Sequence, residues 1–132
     1  MSKTFVLIKP DAVRAGVIGD ILTRYEEAGL RPTRLEMRTI DGEFADKHYA
    51  EHLERDFYPP LREFMTSGPL IAAILEGDDA IQRVRDINGV TDPAKADEGT
   101  IRAAHGTSVR ENCVHGSDSE ESAAAEIALW FS

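Results

Sequence analysis

Cysteine, aromatic residues and long apolar runs are all scarce in this chain of 132 residues. The single cysteine, Cys113, excludes an intramolecular disulfide and a zinc site of the CxxC type. The longest apolar run, residues 70–75, is far shorter than the ~20 residues that span a bilayer. The apolar stretch at residues 5–8 is too short for the core of a signal peptide. We therefore expect no membrane segment, and we expect the cytoplasm as the compartment.

Basic residues are also under-represented, with 15 Lys and Arg against 24 Asp and Glu, for a formal net charge of −9. This balance argues against a broad nucleic-acid-binding surface, because phosphate backbones require a positive field. It leaves room for a small anionic ligand in a local basic pocket. The length fits a single domain spanning residues 1–132, and the 42% of hydrophobic residues argues against disorder.

The apolar periodicity predicts four strands separated by helices. Strands are expected at residues 4–8, 34–40, 70–75 and 109–114, and helices at 17–28, 43–53, 61–65 and 119–131. A further helix follows Asp78 or Asp79, and residues 88–99 are expected to form a surface loop. This order predicts an α+β domain of the ferredoxin-like split βαβ type. Its antiparallel four-stranded sheet would carry the helices on one face.

His115 lies at the junction between the last strand and the last helix, and two interpretations of it remain open. Ser117 and Glu120 have the spacing of a capping box, which is typical of a well-capped helix preceded by a loop histidine. Alternatively, a neutral imidazole near pH 7 can accept and return a phosphoryl group. In that case Gly116 would let a ligand approach closely.

Other polar residues are equally ambiguous. Glu126 lies about 10 Å along the last helix from its start, either as a solvent-exposed carboxylate or as a partner that orients the histidine. Lys9 follows the first strand, where it could be solvated or could bind phosphate. His48 and His52 have i, i+4 spacing, but without a third ligand they do not predict a metal site. Four arginines could form surface salt bridges or converge on a phosphate: Arg83, Arg85, Arg102 and Arg110.

Residues 112–119, Asn-Cys-Val-His-Gly-Ser-Asp-Ser, resemble the N-x-x-H-G-S-D signature of nucleoside diphosphate kinases. The resemblance extends over essentially the whole chain, because further family motifs follow in order and spacing. They are Ile8-Lys9-Pro10-Asp11, His48-Tyr49, Ser67-Gly68-Pro69, Thr91-Asp92-Pro93, Gly99-Thr100-Ile101-Arg102 and Glu126-Ile127-Ala128-Leu129-Trp130-Phe131.

The resemblance implies an enzyme that transfers the γ-phosphate of a nucleoside triphosphate to a nucleoside diphosphate by a ping-pong mechanism. It implies that His115 is the phosphorylated nucleophile and that Glu126 orients its ring. Ser117 would hold that glutamate and the leaving oxygen. Lys9 would contact the transferred phosphate, with the hydroxyl of Tyr49 in support.

The resemblance also implies a set of substrate contacts. Arg85, Thr91 and Arg102 would grip the outer phosphates. The ribose hydroxyls would face Lys9 and Asn112, and the base would lie between Phe57 and Val109. Mg²⁺ would arrive with the nucleotide, bridging its phosphates. A homo-oligomer is implied, with a hexamer favoured and a tetramer or a dimer as alternatives.

The chain departs from the family pattern at residues 103–105, where Ala-Ala-His replaces the usual Gly-Asp-Phe. This change could alter the packing behind Arg102. Two rival functions remain open at this point: a nucleotide-binding module that has lost catalysis, and a phosphatase that hydrolyses small phosphates.

Overall fold

A computed structural model describes all residues of the chain, Met1–Ser132. Its four strands are β1 (Ser2–Ile8), β2 (Arg31–Arg38), β3 (Leu70–Gly77) and β4 (Val114–Gly116). Its seven α-helices are α1 (Pro10–Ala15), α2 (Ile18–Glu27), α3 (Gly42–His48), α4 (Tyr58–Met65), α5 (Ala80–Asn88), α6 (Ile101–His105) and α7 (Glu120–Trp130). Two 3₁₀ turns occupy Ala50–His52 and Pro93–Lys95. No helix is both long and apolar enough to cross a membrane.

The strands form one sheet in the order β2-β3-β1-β4, and every neighbouring pair is antiparallel. The two central strands, β1 and β3, pair along their full length, from Ser2 opposite Gly77 to Ile8 opposite Ile71. Both are almost entirely buried, which explains why their sequences are continuous apolar runs rather than alternating ones. The predicted α+β, four-stranded antiparallel architecture is confirmed.

Helices cover both faces of the sheet, so the expectation that they pack on one face is wrong. On one face, Val6 and Ile8 of β1 pack with residues of α2 and α5, including Tyr25. On the other face, Phe5 and Leu7 pack with residues of α3, α4 and α7, including Ala45, Met65 and Trp130. Successive residues of a strand point to opposite faces, and in β1 both sets are apolar. Each face therefore needs its own layer of helices.

Helix α1 was not predicted. The Lys9-Pro10-Asp11 sequence ends β1 as expected, but it also begins a helix, because proline at the first helical position has the required φ and needs no hydrogen-bond partner. Gly16 then ends the helix with a left-handed φ of 74°. Asp11 accepts a 3.1 Å hydrogen bond from the backbone N–H of Cys113, which ties α1 to the start of β4.

The last strand is displaced from its predicted position. It was expected at residues 109–114 and instead forms at Val114–Gly116, paired with Val6–Ile8 of β1. The extended conformation cannot continue through Cys113, whose φ is +76°. Val109 is 57% exposed, in a turn that closes with a bond from Thr107 N to Glu111 O. His115 therefore lies within the strand rather than beyond it.

The residues that replace the family's Gly-Asp-Phe belong to α6. His105, at the end of this helix, lies with Nε2 2.7 Å from Asp20 Oδ2 of α2. Asp20 also accepts a 2.9 Å hydrogen bond from Arg24. At the other end of α6, Thr100 caps the helix by accepting from Ala103 N. The departure thus supplies a polar link from α6 to α2.

Candidate active site

A cavity of about 940 Å³ opens above His115, and only four of its 23 lining residues are hydrophobic. Its walls come from the end of α3, the last turns of α5, the loop after α5, and the first half of α7. Among the residues singled out from the sequence, Tyr49, Arg85, Thr91, Arg102, His115 and Glu126 line it. The fold therefore brings together six predicted site residues that are far apart in the chain.

His115 occupies the middle of β4, where it pairs with Leu7 of the central strand β1. The sheet fixes its backbone, and the Phe5 ring packs 6.2 Å from the imidazole. The side chain keeps 27% of its surface exposed to the cavity side of the molecule. Its Nε2 lies 2.9 Å from Oε2 of Glu126, which projects from α7.

The protonation state of Glu126 determines which ring nitrogen of His115 is free. Burial by itself would raise the pKa of the Glu126 carboxyl. The hydrogen bond and charge of His115, together with the Ser117 hydroxyl, outweigh that effect and hold the pKa below its usual range. An ionised carboxylate can only accept hydrogen bonds, so His115 Nε2 must carry the proton. The lone pair on Nδ1 is therefore free for chemistry.

Ser117 does not cap helix α7, contrary to the capping-box prediction. The N-cap is Ser119, whose Oγ accepts a 3.1 Å hydrogen bond from Ser122 N. Ser117 is 1% exposed, and its hydroxyl donates to Oε1 of Glu126. Its own N–H still bonds to Phe5 O at the sheet edge. The helix begins later than the motif suggests, and this frees the Ser117 side chain to hold the glutamate.

Gly116 lines the cavity, and its lack of a side chain allows close packing against α5. A Cβ built on Gly116 would lie 2.8 Å from Val84 Cγ1 and 3.0 Å from Asn88 Nδ2. Both neighbours belong to α5, which crosses β4 closely at this point. Packing against α5 is thus one reason for glycine at this position, and close ligand approach at Gly116 stays a prediction.

Lys9 is a buried cation, only 7% exposed, at the junction of β1 and α1. Its Nζ donates a 2.8 Å hydrogen bond to Asn112 Oδ1, and Asn112 Nδ2 donates in turn to Thr91 O at 2.9 Å. Burial, followed by repulsion from the Arg102 charge, lowers the pKa of Lys9 to about 8. Lys9 and Asn112 thus link β1 to the loop after α5, outside the residues that line the cavity.

Two of the four candidate arginines line the cavity, Arg85 and Arg102. The Arg102 guanidinium donates to Gly89 O at 2.6 Å and to Val114 O at 2.7 Å. These bonds hold it between the end of α5 and β4. Burial lowers the pKa of Arg102, and the Arg85 charge adds to that effect. Arg83 and Arg110 lie outside the cavity lining.

The two residues expected to sandwich a base are both exposed, Phe57 by 51% and Val109 by 57%. Neither lines the cavity. The Phe57 ring lies 5.5 Å from that of His52, at the outer end of the site. Tyr49 lies deeper, with its ring edge-on to His48 at 4.6 Å, and burial raises the pKa of its hydroxyl.

Sequence reasoning assigned no function to His48, yet the structure places it in the cavity wall. Single ligand atoms of His48, His115 and Glu126 all lie within 4.8 Å of one another. His48 Nδ1 accepts a 3.0 Å hydrogen bond from Trp130 Nε1. Burial, with a smaller contribution from His115, lowers the pKa of His48 to about 3. The signals in the sequence were its i, i+4 spacing with His52 and its position directly before Tyr49, within one family motif.

Comparisons with known proteins point to one family. The family model described as nucleoside diphosphate kinase matches residues 2–132. A nucleoside diphosphate kinase from Nocardioides sp. is 58% identical over 129 residues, covering 98% of this chain and 96% of that protein. The Aquifex aeolicus nucleoside diphosphate kinase structure superposes with a TM-score of 0.95 at 45% identity, covering 99% of this chain and 95% of the other.

A halophilic nucleoside diphosphate kinase from Halobacterium salinarum, solved in complex with CDP, also superposes with a TM-score of 0.95. It is 45% identical, and the match covers 98% of this chain and 87% of that one. The chain therefore belongs to the nucleoside diphosphate kinase family, enzymes that transfer the γ-phosphate of a nucleoside triphosphate to a nucleoside diphosphate through a phosphohistidine.

Proposed function

We propose that Nδ1 of His115 is the nucleophile of this kinase. Its lone pair attacks the γ-phosphorus of a nucleoside triphosphate as the bond to the β-phosphate oxygen breaks and the diphosphate leaves. The observation that carries this proposal is the pairing of His115 Nε2 with an ionised Glu126, which is itself held by Ser117. The carboxylate stabilises the positive charge that develops on the ring while Nε2 keeps its proton. A second nucleoside diphosphate then takes the phosphoryl group by the reverse step.

The cations supply the charge that the transferring phosphoryl group requires. Arg102 is held by two backbone carbonyls before any substrate arrives, so little reorganisation is needed during the reaction. Arg102 binds the outer phosphates together with Arg85 and Thr91. Lys9 contacts the transferred phosphate and, with Asn112, the ribose hydroxyls. The Tyr49 hydroxyl stays protonated and supports the same phosphate as a neutral donor.

Phe57 and Val109 are proposed to sandwich the base. Their exposure fits surfaces that a planar ligand would cover, and stacking reads the face of a base rather than its edge. Adenine, guanine, cytosine and uracil nucleotides should therefore all serve as donors, with similar specificity constants.

Mg²⁺ is proposed to enter as part of the substrate, bound to the nucleotide phosphates. The cluster of potential metal ligands in the site contains two imidazoles, His48 and His115, and one carboxylate. Mg²⁺ prefers oxygen ligands and usually keeps several waters, so this donor set does not suit a resident magnesium ion. Aspartates in the cavity wall, such as Asp118, could reach the ion through its waters.

We propose that residues 1–132 act as a single domain within a homo-oligomer. The apolar side chains of Leu35 and Met37 support this assembly, because they are 48% and 58% exposed on the edge strand β2. A hexamer is favoured, with a tetramer or a dimer as the alternatives. The cytoplasm stays the expected compartment, consistent with the one free and buried cysteine.

Incubation with ATP labelled in its γ-phosphate, followed by a chase with GDP, tests the proposed nucleophile. The wild-type protein should become labelled on His115 and then pass the label to GDP. His115→Ala should bind nucleotide but accept no label, because the only other imidazole close by, that of His48, has its Nδ1 lone pair engaged by Trp130. His105→Ala, a change outside the cavity, is the matched control and should label normally.

Initial rates provide the second readout of the same mechanism. Parallel double-reciprocal lines are expected for the two nucleotide substrates. Intersecting lines, or an active His115→Ala protein, would mean direct transfer between two bound nucleotides. Release of free phosphate without transfer to GDP would indicate a phosphatase instead.

A further inference from the structure

His48 is a half-buried titratable group in the cavity wall that the proposed chemistry leaves unused. It ends helix α3, and its ring stands edge-on to that of His115, with the centroids 5.3 Å apart and the planes at 84°. His115 Nε2 pairs with Glu126 and His48 Nδ1 pairs with Trp130, which leaves His115 Nδ1 and His48 Nε2 as the ring nitrogens not used by these bonds. Both residues line the same cavity.

Trp130 determines the tautomer of His48. An indole nitrogen carries a hydrogen and can only donate, so the 3.0 Å contact requires a lone pair on His48 Nδ1. In a neutral imidazole the proton must then be on Nε2. His48 also stays neutral, because burial and the neighbouring His115 hold its pKa near 3. A protonated ring would present a second N–H to the indole N–H and lose this bond.

This tautomer disfavours the simplest alternative, a transition-metal site. Two imidazoles and a carboxylate within 4.8 Å of one another form a donor set that zinc accepts. A metal needs a nitrogen lone pair, however, and the only lone pair of His48 is occupied by Trp130. Binding a metal at Nε2 would move the proton to Nδ1 and break the indole hydrogen bond. The geometry favours a fixed N–H donor over a ligand.

We propose that His48 is a further catalytic residue, whose Nε2–H donates to an oxygen of the phosphoryl group as that group moves onto and off His115. The inference rests on the proposed function, because it requires the phosphoryl group to be carried by His115. A neutral donor of fixed direction suits this position. It stabilises the negative charge on the phosphoryl oxygens without lowering the nucleophilicity of Nδ1 through a nearby positive charge.

Two substitutions separate donation into the cavity from support of Trp130. In His48→Asn the side-chain oxygen can take the place of Nδ1 and accept from Trp130, but no donor remains at the position of Nε2. In His48→Gln the amide nitrogen can reach the position of Nε2 and restore the donor. His105→Asn, on α6 and outside the cavity, is the matched control.

The rate of phosphoenzyme formation from ATP should be measured in single turnovers, alongside ADP affinity and thermal stability. His48→Asn should slow phosphorylation about 100- to 1000-fold with little change in ADP affinity, because a donor to the phosphoryl group is lost. His48→Gln should recover much of the rate. An Asn variant as fast as wild type, or Asn and Gln variants equally slow, would overturn the inference.

Nitrogen-15 NMR of the histidine rings tests the His48 tautomer directly in the wild-type protein, without any substitution. We expect His48 to show an unprotonated Nδ1 and a protonated Nε2, unchanged on ADP binding. A proton on Nδ1 would contradict the inference whatever the kinetics. Failure of the proposed function and failure of the His48 inference give different results. If wild type forms no phosphoenzyme on His115, the proposed function fails, whereas a normal phosphoenzyme with an unimpaired His48→Asn variant rejects the donor alone.

Discussion

Lys9 illustrates at the scale of one residue how burial tunes a functional group. Its ammonium is almost fully buried against a neutral partner, Asn112, and near a second cation, Arg102. Both conditions disfavour the charged form, so the pKa falls from 10.5 to about 8. The unfolded chain keeps the ordinary value. Lys9 therefore disfavours folding below pH 8, and that cost fades as the pH rises from about 8 to 10.5.

The same shift predicts a pH dependence of activity. The specificity constant for a nucleoside triphosphate should fall as the pH rises through about 8, because Lys9 in the free enzyme loses the charge that attracts phosphate. Lys9→Arg keeps its charge throughout this range, so its specificity constant should show no such fall. A pH profile of both proteins checks this. The same alkaline limb in Lys9→Arg would assign the titration to another group.

At the scale of elements, a single buried hydrogen bond joins α2 to the end of α5. The Tyr25 hydroxyl donates to Asn88 Oδ1 at 2.6 Å, and both residues are at most 1% exposed. Asn88 also packs against Gly116 in β4. This bond therefore positions α5, which carries Arg85, against the strand that carries His115.

Tyr25→Phe should lower the free energy of unfolding by about 1–3 kcal/mol, because the Asn88 oxygen would be left buried without a partner. Tyr58→Phe is the matched control, since its hydroxyl donates to Asp46, which still has Arg62 and solvent. Tyr58→Phe should lower the free energy of unfolding by less than Tyr25→Phe does. Urea unfolding at one protein concentration measures both variants. If both variants lost the same free energy of unfolding, burial of the Asn88 acceptor would not explain the loss in Tyr25→Phe.

At the scale of the molecule, the edge of the sheet predicts self-association. Strand β2 lies at the open edge of the sheet and exposes the apolar side chains of Leu35 and Met37. An apolar, unpaired edge is a surface that a second copy can cover. Residues 88–99, which include the exposed Val90, are expected at further contacts between copies.

Light scattering at micromolar concentration should therefore return an oligomer, with a mass six times that of the 14.6 kDa chain favoured. Leu35→Glu combined with Met37→Glu should weaken the assembly by placing charges in the interface. Lys3→Glu on β1, a charge change on an already exposed residue, is the control. A stable monomer of the wild-type chain at that concentration would contradict the prediction.

Local pattern was enough to predict most elements, whereas the candidate site residues came from the family resemblance. The apolar runs of β1 and β3 and the helical spacing in α2 come from side-chain periodicity, which each segment expresses by itself. The family resemblance brought His115 and Glu126 together as a pair. Pattern failed where backbone conformation overrides it, as at Cys113, whose positive φ delays β4, and at Pro10, which begins α1.

The sequence by itself determined the antiparallel α+β architecture, the family and the residue types that the chemistry requires. Only the tertiary structure decided which of them meet. Lys9 and Asn112 are 103 residues apart in the chain, and His48 and Trp130 are 82 apart. Such contacts depend on which helices cover each face of the sheet, and the pattern of residues within one segment does not predict this placement. The inward direction of Ser117, the tautomer of His48 and the pKa of Lys9 all follow from this packing, because burial and hydrogen-bond partners are properties of the assembled layers.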